Sequence, residues 1–270
     1  MTQTLEYFSV FGGLNVRLDT SLPFEKLVQI HILDEYSRLR NEISLLCGED
    51  NTCRAVLSGI ALGDRRSNSA FKRAKVSFSE GTGCTEELKE RGILKSESSQ
   101  QTFKEPFEPK IIAEKLFFAT PFLHFWFAFV SPIFQGIKEG NYEEFFQRFA
   151  NRKTEFYEVI FQKLCLEIFK SILQDEKIDN LGSYWDEELQ IDLLCKTRSK
   201  KIIAGVCKYS DTKMKKSELT KLNDTCKKLG ITPDAYVFFA KKGFSSELKS
   251  LKNESFKLFT CKSLKMLCEN

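Results

Sequence analysis

Histidine is almost absent, with 2 in 270 residues, His31 and His124. The 9 cysteines are scattered, odd in number and never arranged as C-x-x-C. No familiar zinc-ligand spacing follows from these residues. A disulfide framework is equally unsupported, and the expectation is reduced, buried thiols in a cytoplasmic protein. No G-x-x-x-x-G-K-[ST] stretch occurs, so the phosphate cradle of a Walker-type ATPase is missing and no ATPase activity is expected of this chain. The opening MTQTLEYFSVFGG lacks a basic segment followed by an apolar one, which argues against a secretory signal. The most membrane-like stretch, Phe117 to Phe134, is interrupted by Thr120, Pro121, His124, Ser131 and Pro132. A spanning helix wants roughly 20 largely apolar residues, so this stretch reads as core and no membrane partner is expected.

What remains is a globular composition, 42% hydrophobic and 29% charged, with length enough for two domains. The net charge of +4 is unevenly placed. Between Lys196 and Lys228 stand eleven Lys or Arg against Asp211, Glu218 and Asp224, which is +8 and leaves −4 for the rest. Such local basicity is the footprint of a polyanion partner, and a solvated helix face is the bland alternative.

A spacing of three to four residues marks a helix from Phe24 to Leu46, after Pro23, through Leu27, Ile30, Leu33, Tyr36, Leu39 and Ile43. Residues 47 to 120 read as a winged helix. Its helices would be Thr52 to Leu62, Ser67 to Ala74, and one ending at Thr85 to Arg91 before Gly92. Its wing would be Ile93 to Lys95 with Leu116 to Ala119. Glycines 81 and 83 should loosen and shorten the third helix. Arg65, Arg66, Lys72, Arg73 and Lys75 surround the second helix and suit phosphate contacts. A polar, charged connector, 136–154, expected to be helical through Tyr142 to Ala150, precedes another helical pattern, Glu155 to Leu173. Then come two extended segments, Leu189 to Lys196 carrying Asp192, and Ile202 to Lys208 with Ile202, Ala204, Val206 and Lys208 on one face. A helix from Ser217 to Leu229 with Ser217 as N-cap, a strand Ala235 to Ala240, a short helix Ser245 to Leu251, a strand Phe256 to Phe259 and a helix Lys262 to Cys268 complete the pattern. The fold class expected is mixed α+β.

The strand pair resembles the PD-(D/E)xK nuclease superfamily, and most of all the nuclease-like domain at the C-terminus of archaeal-type AAA+ ATPases. The resemblance is carried by Tyr184-Trp185, by Leu189-Gln190-Ile191-Asp192-Leu193-Leu194, by Gly205-Val206-Cys207-Lys208-Tyr209, and by Tyr236 to Phe244, which ends Lys241-Lys242-Gly243-Phe244. Pro121 to Val130 is similar to that family's aromatic segment, with His124 in place of an arginine and no catalytic role. Tyr7 to Leu14, with Gly12-Gly13, resembles the end of its ATPase module. The resemblance implies a lid remnant over 1–46, a winged-helix-like domain over 47–135, a connector over 136–154 and a restriction-endonuclease-like α/β domain over 155–270.

Where the motif would have an acid, this chain has Val206, and where the helix would supply a glutamate it has Gln162. Asp192 and Lys208 remain, and Glu158 lies one turn before Gln162 as a substitute acid. A divalent ion held by one carboxylate is weakly bound, so no cofactor is expected unless Asp192 and a displaced acid still hold Mg²⁺ or Mn²⁺. The implied function is a DNA-binding pseudo-nuclease whose backbone contacts include Lys200, Lys201, Lys213, Lys215 and Lys216, acting with a separate AAA+ ATPase or by self-association. The alternatives are an active nuclease using Asp192, Lys208 and Glu158, and a protein-docking fragment of a split ATPase. Between Asp192 and Lys208, an ordinary ion pair is the structural alternative.

Overall fold

Apolar spacing of three and four residues builds helices through the first half of the chain, and alternating spacing builds a sheet in the second. The computed structural model describes residues 1–48, 50–101, 103, 112–173 and 177–268. It separates into a helical unit, Glu6–Ser98 with Ala113–Lys153, and a sheet unit, Met1–Leu5, Ser99–Ile112 and Thr154–Asn270. The class is mixed α+β, as expected. The division differs from the boundaries read in the sequence by giving the first five residues and Ser99–Ile112 to the sheet.

The chain enters through α1 (Thr2–Phe11). The single helix expected over Phe24 to Leu46 is instead α2 (Phe24–Val28), a π turn over Gln29–Leu33 and α3 (Tyr36–Cys47). Adjacent acids Asp34 and Glu35 stand at the break, where the Asp34 carboxylate accepts the Tyr142 hydroxyl at 2.7 Å. Next are α4 (Asn51–Ala61), α5 (Ser67–Ala74) and α6 (Phe78–Glu90). A two-stranded antiparallel ribbon follows, β1 (Leu94–Glu97) with β2 (Lys115–Phe118). That is the helix, helix, helix, ribbon order expected of a winged helix.

The third helix is not shortened. Ser77 and Glu80 form a reciprocal capping box at its start, so two otherwise orphaned N–H groups are satisfied. Gly81 lies under the ring of Phe71, where a Cβ would come within 2.5 Å of ring carbons. The glycine is there for helix packing rather than for looseness.

Beyond the ribbon, α7 (Pro121–Phe125) runs into a π turn, Trp126–Val130, and a 3₁₀ turn, Ser131–Ile133, before α8 (Phe134–Lys138). Every residue from Phe122 to Val130 is buried, as the reading of this stretch as core required. Trp126 stacks on Tyr36 at 5.6 Å, and Phe125, Phe129, Phe145 and Phe149 pack ring against ring. No helix among the described residues is long and apolar enough to cross a membrane.

The connector and the following helix are one element, α9 (Glu143–Ile172), 30 residues long. In the sheet unit its apolar stripe includes Phe161, Cys165, Ile168 and Phe169, all buried. Strands β3 (Ile178–Trp185), β4 (Gln190–Thr197) and β5 (Ile202–Lys208) pair antiparallel in order. After α10 (Lys216–Lys228), β6 (Ala235–Ala240) pairs parallel to β5. After α11 (Ser246–Ser250), β7 (Phe256–Thr260) pairs parallel to β6, and a 3₁₀ helix, Cys261–Leu267, follows. The N-cap of α10 is Lys215 without a side-chain bond, so the expected Ser217 cap does not form.

Under α10 lies an apolar cluster built from Ile191, Leu194, Ala204, Leu222, Cys226 and Phe238, with Val206 packed against it. On the ladder itself, Gly205 faces the Val237 carbonyl so closely that a Cβ would come within 2.5 Å of its oxygen.

Candidate functional site

The carboxyl ends of β5, β6 and β7 point the same way because these strands are parallel. In open sheets with parallel strands, ligands favour the crevice outside those ends. Here the end of β5 is also where parallel pairing gives way to antiparallel pairing with β4.

Asp192 sits at this end, just past the last paired residues of β4 and β5, Leu193 and Gly205. Its Oδ2 accepts the Cys207 backbone N–H at 3.0 Å. Its Oδ1 takes the Gln162 and Gln190 amides at 3.4 and 3.3 Å. The side chain thus continues the ladder where main-chain pairing stops, and Gln162 of α9 holds it from the helix side. Alternation on β5 separates the rest of the motif. Cys207 turns its thiol to Cys165 of α9, while Val206 packs against the cluster under α10. Lys208 likewise reaches α10, where its ammonium lies 2.8 Å from Glu218. The ion pair of Lys208 is therefore with Glu218 and not with Asp192, which corrects the structural alternative drawn from the sequence. Burial works to raise the Glu218 carboxyl, but hydrogen bond and charge from Lys208, with Lys221 adding to them, hold it below its ordinary value.

No group of three carboxylate, histidine or thiol donors close enough to hold an ion forms at Asp192 among the described residues. Glu158 is near enough to act on the Cys207 thiol together with Asp192. The hydrogen bond with Cys165 works to lower that thiol, but burial and the two carboxylates push it up on balance.

The basic window divides in space. Lys200, in a left-handed turn at φ 66, and Lys201 precede β5, whereas Lys213, Lys215 and Lys216 follow it. Seven residues of strand hold the two groups about 20 Å apart. The second group gains neighbours that sequence order hid. Met214 bridges to Phe244, its N–H bonding the Gly243 carbonyl and its carbonyl accepting from Ser245 N–H, both at 2.9 Å. Lys213, Lys215 and Lys216 are thereby joined to the Lys241-Lys242 loop. Lys241 is largely buried, with its ammonium 3.0 Å from Asp211 and 4.3 Å over the Tyr209 ring. A cleft of about 690 Å³ next to it is lined by Lys241, Lys242, Lys262, Lys265 and Thr260. Sequence reasoning noted Lys241 and Lys242 only as part of the resemblance and missed Lys262 and Lys265, because all four lie outside the basic window; the parallel order of β6 and β7 brings them together.

In the helical unit, Lys72, Arg73 and Lys75 are exposed around α5, with Lys75 left-handed at φ 58. Arg73 also donates to the Gly59 carbonyl at 3.2 Å. Arg65 is turned inward, its guanidinium 4.8 Å over the Phe117 ring, and Arg66 pairs with Asp64 at 3.6 Å. The Arg65 side chain is thereby committed to the ribbon, and that of Arg66 to a pair with the exposed Asp64. His124 is buried and stacked on Phe118 at 5.3 Å, consistent with a core role.

Residues 126–221 match the model of a family described as archaea bacterial proteins of unknown function. No curated protein and no solved structure matches the chain.

Proposed function

We propose that this chain binds nucleic acid through the lysine-rich carboxyl edge of its sheet and has lost the divalent-ion chemistry of the PD-(D/E)xK nucleases it resembles. The observation that carries the reading is the gathering of lysines from the loops after β5, β6 and β7 at the carboxyl edge of a sheet whose Asp192 meets no second motif acid. Lysines there suit phosphates, which position a strand without reading its sequence. Asp192, bound to Cys207 N–H and Gln162, serves the joint between β4 and β5. A separate AAA+ ATPase or a second copy of the chain remains the partner implied by the resemblance, and DNA is the expected polyanion.

Fluorescence anisotropy with labelled duplex and single-stranded DNA tests this directly. Binding should be present at low salt and fall steeply as salt rises, because each neutralised phosphate releases counterions. Absence of binding at low salt sinks the proposal. Incubation of the same DNA with Mg²⁺ or Mn²⁺ should leave it intact. A second reading, an active nuclease, is favoured by Glu158 lying near Cys207 alongside Asp192. Metal-dependent cleavage abolished by both Asp192→Asn and Glu158→Gln would establish it.

A further inference from the structure

Helices α4 and α6 pack against each other, and a thiol and a carboxylate stand three residues apart on each, Asp50-x-x-Cys53 starting at the N-cap of α4 and Cys84-x-x-Glu87 within α6. Three residues is close to one helical turn, so each pair shares a face. One ligand atom from each of Asp50, Cys53 and Cys84 lies within 4.8 Å of the others, and among the described residues no other group of three does so. Asp50 is exposed and both cysteines are buried, which gives the cluster a polar mouth and a dry floor. The Asp50 carboxylate is already organised: Oδ1 caps α4 by accepting Thr52 N–H at 2.7 Å, and Oδ2 lies 3.6 Å from the Cys53 sulfur.

We infer that Asp50, Cys53 and Cys84 form a binding site for a thiophilic divalent cation, Zn²⁺ by ligand type, that ties α4 to α6. Zinc takes sulfur at about 2.3 Å and carboxylate oxygen at about 2.0–2.2 Å, so tetrahedral donors sit roughly 3.4–3.8 Å apart. Closing the present cluster onto an ion needs movements of about 1 Å, within the reach of side-chain rotation. The fourth position falls to water. Binding replaces the two thiol protons, which leave to solvent, and the cation offsets the carboxylate charge. Mg²⁺ and Ca²⁺ prefer oxygen donors and do not suit two sulfurs. The sequence holds no C-x-x-C because the two thiols come from different helices.

Cobalt titration of the full-length, reduced, metal-stripped protein tests the site. One Co²⁺ should bind per chain with thiolate-to-cobalt charge-transfer absorption, and Zn²⁺ should displace it. Cys53→Ser and Cys84→Ser should each abolish that absorption. Asn can still cap α4, so Asp50→Asn keeps the helix start while removing the anionic ligand. Its affinity should fall by at least about tenfold, since even outer partners of a metal ligand cost that much. Folding of every variant is checked by circular dichroism, and Asp50→Asn decides the matter if a buried cysteine variant fails to fold. Three outcomes overturn the inference: no charge-transfer band in the parent chain, a band that survives Cys84→Ser, or unchanged affinity in Asp50→Asn.

Discussion

At the scale of single residues, the chemistry of Asp192 and His124 is set by what each is packed against. Removing the Asp192 carboxylate leaves the Cys207 N–H without its acceptor beside a buried strand. Asp192→Ala should therefore cost about 1–3 kcal/mol of stability, read from urea unfolding, whether or not DNA is bound. A purely catalytic acid would show no such penalty. His124 is depressed to about 3, first by burial, then by the positive charges of Arg65 and Arg152, against which its bond to the Ala61 carbonyl works. In the unfolded chain it titrates near 6.5, so between those values the unfolded state holds more protons. The contribution to stability is complete above pH 6.5 and is lost as pH falls towards 3, by up to about 1.4 kcal/mol per pH unit. Urea midpoints measured from pH 6.5 down to 5 should show that slope in the parent and a flatter one in His124→Gln. Both residues were visible in the sequence as lone polar groups in apolar stretches. Their partners were not, because Cys207 N–H and Arg65 are brought to them by tertiary folding alone.

Among the elements, α6 tests how far local preference can be trusted. Its two glycines look alike in the sequence, and glycine inside a helix ordinarily costs about 1 kcal/mol against alanine. A Cβ at Gly81 would strike Phe71, whereas at Gly83 nothing lies within 4 Å. Gly83→Ala should raise stability by about 0.5–1 kcal/mol, and Gly81→Ala should lower it by about 1–3 kcal/mol, both measured by thermal unfolding. Equal effects would refute the packing account. Elements with strong periodicity were legible: α4, α5, β5, β6 and β7 lie within a residue or two of their expected bounds. The failures share a cause. The split between α2 and α3 and the fusion of the connector into α9 depend on neighbours, since neither Pro nor Gly marks the one or is absent from the approach to the other.

For the molecule as a whole, the distribution of charge matters more than its net value. The basic window from Lys196 to Lys228 was a one-dimensional count, and β5 sends its two halves to opposite ends of a strand. If the carboxyl edge holds the phosphate backbone, replacing Lys213, Lys215, Lys216 and Lys242 by Ala should weaken DNA binding and reduce the salt slope by about 1 for each phosphate no longer neutralised. Replacing Lys200 and Lys201 should do much less, measured by the same anisotropy titration. Equal losses from both sets would point to diffuse attraction rather than to a site. The fold class was legible because alternation and helical spacing are local; the cleft beside Lys241 was not, since its lysines come from separate loops. A last consequence follows from α9, whose first part belongs to one unit and whose remainder belongs to the other. Gene shuffling by a single crossover has no seam to use here. A recombinant that exchanged either half would join the first turns of α9 from one parent to the remainder from another, so each part of the helix would have to suit a stretch it was not selected with.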